Sequence, residues 1–385
     1  MINSIKSRLV AWLKSDFGVA LCITLAWKTA MLLIGYLFDD HPTSLLSHTM
    51  HWDAGWYTTV ITHHYLNEAS AAFYPLFPLL VGFIHLVSCG LFDIPFAGQI
   101  ITTASVWALI AGLIKLGKIF FPQARPWLIP LVLSTPTAFF LHVFYSEALF
   151  MALGCFAYLF ALKRKWLAMG IALAFLTASR LPGILFVGLC VLEFMRAYQW
   201  KIRKIFNKNT FYFLLAPVGF LLYGLYLWWF RGDPLAMFHA YAATNDWSYQ
   251  VFNPNIFHTI GRISLEVLRA LFGERALNLD MLVNHILPLI SLGILMASSI
   301  YLLFQKGKYI PLGVFGIASF VMFTLNSNVV SAHRYALPCL SIYIAALLLV
   351  ERWKSRNIAL IAICVIGITL QMFLYFVFVS NRFAG

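Results

Sequence analysis

An aspartate set between two tryptophans, in His51-Trp52-Asp53-Ala54-Gly55-Trp56-Tyr57, stands in an otherwise largely apolar chain. A carboxylate in an aromatic loop can take a proton from a hydroxyl, and the ring faces suit stacking against a sugar. Trp52 and Trp56 would also limit water access to Asp53 and raise its pKa. The other reading of these residues is an interfacial aromatic belt around a solvated Asp. Further ionisable positions stand in or beside apolar runs: Glu147 in Tyr145-Ser146-Glu147, Arg180 before Leu181-Pro182, Asp233 in Gly232-Asp233-Pro234-Leu235, and Arg334 after His333. Charge at membrane depth is costly, so such residues mark a pathway or a reaction centre. Glu147 reads either as orienting a substrate or as a structural partner of Arg180. Arg180 and Arg334 suit a phosphate, bidentate in the best geometry, or else snorkel from helix ends. Asp233 reads as an ordinary turn residue or as one that shapes an acceptor loop. His51, His63, His64 and Glu68 form a poor metal set with Asp53, because adjacent histidines chelate one ion badly and the spacing fits no metalloprotease signature. No metal is expected.

The elements that must position these residues follow from composition. The chain has 385 residues, 62% hydrophobic and 11% charged, with mean hydropathy +0.83, far below the charged quarter of a soluble domain. Continuous apolar runs of the length that spans a bilayer predict an all-α polytopic membrane protein, and the absence of alternation argues against a β-barrel. The net charge of +13 does not imply nucleic acid. Lys and Arg cluster in short loops beside apolar segments, as in Lys163-Arg164-Lys165 and Lys201, Arg203, Lys204 and Lys208, which is the positive-inside pattern. The six cysteines, Cys22, Cys89, Cys155, Cys190, Cys339 and Cys364, lie in apolar segments without CxxC spacing and read as packing residues. The first apolar segment is too long for a signal-peptide core.

About twelve apolar segments are expected, near 17–38, 73–92, 95–114, 127–145, 146–162, 166–180, 181–198, 211–230, 281–304, 309–327, 335–350 and 357–379. Together they form a single membrane domain over 1–385, with long loops at 39–72 and 231–280 and no internal repeat. Lys6, Arg8 and Lys14 place the N-terminus in the cytoplasm and the Asp53 loop outside. The clusters at 196–208, 306–308 and 352–356 also want the cytoplasm, which places 231–280, the His333-Arg334 turn and the C-terminus outside. Twelve crossings conflict with that parity. Either one segment between 73 and 162 is re-entrant or interfacial, leaving about eleven transmembrane helices, or Lys115, Lys118 and Arg125 break the charge rule. The polar motifs then gather at the outer face.

The same motifs carry a resemblance. His51 to Tyr57, followed by Ala72-Phe73-Tyr74-Pro75-Leu76-Phe77-Pro78, resembles the WDG-x-WY and FFPLYP pattern of the GPI mannosyltransferase II family, the class V phosphatidylinositol-glycan proteins and their bacterial relatives. Thr135-Pro136-Thr137-Ala138-Phe139-Phe140 and Tyr145-Ser146-Glu147-Ala148-Leu149-Phe150 are similar to that family's P-(T/A)-x-FF…Y(S/T)ESLF block. Thr177-Ala178-Ser179-Arg180 sits where the family has its T-R step, Gly232 to Phe238 resembles its GDPLAF segment, and Arg334-Tyr335 its late RY. The order is kept from about residue 50 to 340. Ala54 stands where the family usually has Gly, and Ser179-Arg180-Leu181-Pro182 departs from the TRP spelling. A short chain without an Asn-x-Ser/Thr site suits a bacterial relative, in the cytoplasmic membrane, better than an endoplasmic-reticulum enzyme.

The resemblance implies a GT-C glycosyltransferase. It would move a hexose, mannose by resemblance alone, from a polyprenyl-phosphate sugar to an acceptor hydroxyl outside the cytoplasm, with inversion. Asp53 is then the catalytic base, with Glu147 as the second catalytic candidate. Trp52, Trp56, Tyr57, Tyr145, Arg180, Asp233, His333 and Arg334 are the substrate-binding candidates. A lipid-phosphate leaving group can be served by Arg rather than by a metal, so no cofactor is expected beyond the donor itself. The partners are the bilayer, the donor and a glycan, lipid or protein acceptor. The rival classes are a multi-pass transporter or lipid flippase, which would favour repeat symmetry, and an inactive scaffold of a glycan-assembly complex.

Overall fold

The structure, a computed structural model, describes residues 12–122, 127–241, 251–351 and 353–385. Among these the protein is all-helical, apart from an isolated antiparallel bridge between Phe252 and Asn326. The longer helices are α1 (Asp16–Phe38), α2 (Asp53–His63), α3 (Leu76–Val87), α4 (Ile94–Phe120), α5 (Glu147–Leu162), α6 (Trp166–Thr177), α7 (Gly183–Ala197), α8 (Val218–Arg231), α9 (Ile256–Leu271), α10 (Leu287–Gln305), α11 (Ile310–Thr324), α12 (Leu340–Glu351) and α13 (Arg356–Val379). Local chemistry sets their starts. Ser15 accepts from the Gly18 N–H before α1, and Asp93 accepts from the Phe96 N–H before α4, where Pro95 occupies the first turn.

Among the described residues, six helical stretches are long and apolar enough to cross a membrane: Asp16–Phe38, Ile94–Phe120, Lys208–Arg231, Leu279–Gln305, Gly307–Thr324 and Arg356–Val379. Leu76–Val87, Glu147–Leu162, Trp166–Thr177 and Leu340–Glu351 are shorter apolar helices. At 1.5 Å per residue they reach about 18–24 Å, less than a hydrocarbon core of about 30 Å. The expected segment at 127–145 is not a helix along its length. Leu128–Leu133 forms six helical residues, and turns with a 3₁₀ stretch at Ala138–Leu141 follow until Ser146. The cause is Ser134-Thr135-Pro136-Thr137: both first hydroxyls bond back to the Leu131 carbonyl, and Pro136 has no N–H to continue the ladder.

Irregular backbone inside an apolar bundle needs partners for its polar groups. The Lys28 ammonium on α1 donates to the His142 carbonyl (3.1 Å), Gln99 Oε1 (2.8 Å) and Thr102 Oγ1 (2.9 Å). Gln99 Nε2 also donates to the His142 carbonyl (3.1 Å), and the Phe144 N–H to the Thr49 carbonyl. Two glycines clear the space. A methyl group at Gly98 would overlap the Phe144 ring, and one at Gly367 would overlap the Ser134 carbonyl.

Two apolar clusters result. A large one, mostly aliphatic, packs α4 to α7 against α10 to α12, with Leu109, Leu173, Leu189 and Leu312 fully buried. A smaller one is aromatic, with Tyr57, Phe77, Phe139, Phe140, Phe144, Tyr145, Tyr375 and Phe378 around the irregular 134–146 stretch.

Candidate active site

Four segments far apart in sequence meet beside the aromatic cluster: the start of α2, the start of α5, the α6–α7 turn and the α11–α12 turn. The turn into α2 is made by Trp52 at φ 56°, and Ser331 at φ 64° opens the short turn that carries Arg334. Non-glycine residues in this region are strained and persist only where the surroundings hold them. Around Trp52 the holder is Tyr145. Its hydroxyl donates to the His51 carbonyl and accepts from the Asp53 N–H, both at 3.1 Å.

The charged groups form one chain. Arg334 Nη2 donates to Asp53 Oδ2 at 2.6 Å, and Arg334 Nε donates to Glu147 Oε1. Arg180 Nη1 donates to the same Glu147 oxygen and to Ser146 Oγ (3.2 Å), which also bonds the Tyr57 hydroxyl at 2.6 Å. Two carboxylates thus face two guanidiniums, a neutral set. The guanidinium of Arg334 also lies over the Phe140 and Tyr145 rings, at 4.8 and 4.6 Å from their centroids. Glu147 and Arg334 are almost completely buried, at 3% and 4% side-chain exposure, whereas Asp53 is 22% exposed. Removing one member of such a buried pair leaves the other uncompensated, at a cost of about 3–5 kcal/mol.

A cavity of about 1090 Å³ opens onto this chain, at the upper end of the roughly 300–1,000 Å³ usual for small-ligand pockets. Trp52, Asp53, Trp56, Tyr57, Arg180 and Arg334 all line it. Glu147 stands behind the two arginines as their shared acceptor. Trp56 stacks on Phe73, with centroids 5.9 Å apart and planes 14° from parallel. Trp52 is 43% exposed, so the aromatic enclosure of Asp53 is partial. Burial pushes the Tyr57 phenol far above its ordinary value, which makes it a hydrogen-bonding wall rather than a proton carrier.

The remaining candidates lie outside the lining. Tyr145 is buried and braces the Trp52 turn. His333 is buried, bonded through Nε2 to the Ala384 carbonyl, and burial depresses its pKa to about 4. Asp233 accepts from the Leu235 N–H (2.9 Å) and pairs with His239 (2.7 Å), which is turn chemistry. His63 bonds Thr62, and His64 bonds Tyr226. Among the described residues, no three His, Cys, Asp or Glu side chains gather as metal ligands.

Sequence reasoning did not single out Lys28, Ser146 as a bridge, or the part of the cavity lining formed by Tyr241, Phe252 and Asn326. Lys28 carried a signal, since it is a lone cation within an apolar 23-residue helix. Tyr241, Phe252 and Asn326 carried none. They are ordinary in type and come together only through the fold.

What the fold and site define is an all-helical membrane protein with an ion-paired, aromatic-walled cavity. No family model matches the chain, and no curated protein matches it.

Proposed function

We propose that the protein is an integral-membrane, inverting glycosyltransferase of the GT-C type. It would transfer a hexose, mannose by resemblance, from a polyprenyl-phosphate donor to an acceptor hydroxyl on the extracytoplasmic face of a bacterial cytoplasmic membrane. The observation that carries this reading is the convergence of Asp53, Arg180 and Arg334 on one cavity, with Glu147 holding both arginines. In that reading about eleven segments cross the membrane. Lys118 near the end of α4 pairs with Asp16 at the start of α1, and Lys308 donates to the Ile119 carbonyl (3.3 Å), which supports a cytoplasmic end for α4, a crossing from 121 to Glu147, and the short α3 as the segment that does not cross.

Each group then has a task. The Asp53 carboxylate, held by Arg334 through one oxygen, accepts the acceptor's proton as its oxygen attacks the anomeric carbon. The bond from that carbon to the phosphate oxygen breaks on the opposite face, which inverts the centre. The lipid phosphate leaves with the electron pair. Arg180 lines the cavity and can donate to the departing oxygens, and Arg334 adds positive charge beside them. Glu147 is a positioning residue. It fixes both guanidiniums, so their orientation need not be found anew at each turnover.

The test is transfer of labelled mannose from polyprenyl-phosphate-mannose to a host lipid extract by the purified protein in lipid, comparing wild type with Asp53→Asn. Loss of transfer in a folded variant that still binds donor supports the assignment. Undiminished transfer removes Asp53 as the base. A folded wild type that neither binds nor transfers, with or without divalent metal, points to the transporter or scaffold classes instead.

A further inference from the structure

Helix α9 (Ile256–Leu271) is unlike the other long helices because it is two-faced. Taking 100° per residue, Phe257, Leu268, Leu271 and Phe272 fall within an arc of about 100°. All four are exposed, at 89%, 48%, 62% and 80%. The opposite edge is polar: Arg262 pairs with Glu266 at 3.0 Å, and His285 reaches the same carboxylate at 3.1 Å. Thr259, Ile263 and Ala270 are the buried contacts that fasten the helix to the bundle.

Its place in the fold is set at both ends. Near its start, Thr259 Oγ1 donates to the Asn326 carbonyl (3.0 Å), and Arg262 Nη2 donates to the Ser327 carbonyl (2.7 Å), just beyond the end of α11. Beyond its C-terminus the chain enters the apolar stretch Leu279–Gln305 within eight residues. The helix therefore lies across the ends of two stretches that are long and apolar enough to span the bilayer, at the depth where headgroups meet acyl chains. Exposed apolar residues follow along the chain, Leu277 (63%) and then Ile290 and Ile294 on α10.

We propose that α9 is a membrane-docking helix whose Phe257–Leu268–Leu271–Phe272 face is buried in the upper acyl region of the adjoining leaflet. The occupant is bilayer lipid, because α9 packs against the start of the stretch Leu279–Gln305 and against α11, both apolar enough to span the bilayer. Its charges are largely matched within the protein, with Arg269 against Glu274 and Arg275 against Glu266 at 3.7 and 3.6 Å. Docking is therefore driven by apolar burial and needs no anionic lipid. The helix also ties the membrane surface to the cavity. Phe252 and Asn326, which line the cavity, are bridged to each other immediately beside the bonds from Thr259 and Arg262. Docking thus fixes one cavity wall relative to the leaflet.

The experiment uses the full chain in phosphatidylcholine vesicles, with Cys22→Ser and Cys89→Ser removing the two exposed thiols. An environment-sensitive fluorophore is placed at Leu268→Cys or, on the polar edge, at Arg269→Cys. Nitroxide on the upper acyl chain should quench the label at position 268 about threefold more than the label at 269, and aqueous iodide should do the reverse. Equal access of both labels to iodide would overturn the proposal. So would a label at 268 that is shielded from iodide, unquenched by lipid nitroxide, and freed on dilution into excess lipid, since a second copy would then cover the face. Adding 20% phosphatidylglycerol should leave the quenching ratio unchanged to within about twofold, and a larger rise would overturn the charge-independent form of the proposal. Glycosyl transfer enters no step, so failure here and failure of the proposed activity are separate results.

Discussion

The two buried regions of this molecule are held together by different physics. Around Leu109, Leu173 and Leu189, regular helices pack aliphatic side chains, and their backbone groups are satisfied within each helix. Around Phe140, Phe144 and Tyr145 the backbone leaves the helix, and Lys28, Gln99, Arg334 and Glu147 supply what the broken ladder and the desolvated charges lack. Packing of the first kind tolerates changes in shape and fails gradually. A polar network fails in steps, since each lost member strands another. A reaction centre belongs in the second kind, where groups are held by direction as well as by volume.

The contrast can be broken most sharply at Asp53. In the proposed reaction Asp53→Asn lowers turnover per folded molecule by about 10²–10⁴-fold, and it lowers the unfolding temperature in detergent less than Arg334→Gln does, because Asp53 is 22% exposed and Glu147 still holds Arg334. Arg334→Gln should lose both stability and activity, by about 3–5 kcal/mol in unfolding free energy, because two carboxylates lose their shared partner. Leu189→Ala in the aliphatic region should cost about 2–5 kcal/mol, yet leave turnover per folded molecule unchanged. If Leu189→Ala altered turnover as strongly as Arg334→Gln, the separation of the two regions would be wrong. Gly98→Ala tests the aromatic side by overpacking against Phe144. It should cost about 1–3 kcal/mol and shift substrate affinity more than the aliphatic variant does.

The smallest effect concerns pH. His333 has a folded pKa depressed to about 4, against an ordinary 6.5. The unfolded chain therefore binds the extra proton first as pH falls. Stability contributed by neutral His333 is complete above about pH 6.5 and is lost progressively as pH falls toward 4. His333→Gln should flatten that part of the curve in a melting series from pH 7 to pH 4. His48, depressed to about 4 by the same burial, adds a parallel slope that persists in the variant.

The charged half of the site was legible in the sequence. Asp53, Glu147, Arg180 and Arg334 stand out because a charge beside an apolar run is chemically conspicuous whatever the fold. The break at 134–146 was less legible. A hydropathy window averages Pro136 and its hydroxyl neighbours into the surrounding apolar residues, and the same averaging began a segment at 335 although Pro338 delays α12 to Leu340. Lys28 was lost in another way. Its partners are 71, 74 and 114 residues away, so nothing local revealed what it holds. The positive φ of Trp52 was invisible because that conformation is imposed by Tyr145, not preferred by tryptophan.

The ion pair between Asp53 and Arg334 joins residues 281 positions apart. A chain inserted into the membrane as it is synthesised thus presents Asp53 first, then Glu147 with Arg180, and lacks the guanidinium that joins the two carboxylates until eleven helices have emerged. Until then the nascent site carries an unbalanced negative charge and Glu147 has only one cationic partner. The final closure is non-local and late, so it must wait on translation rather than on any local folding step. An unfinished or prematurely terminated chain therefore carries the aspartate but not the centre, and the completed centre is itself a record that the bundle has been assembled.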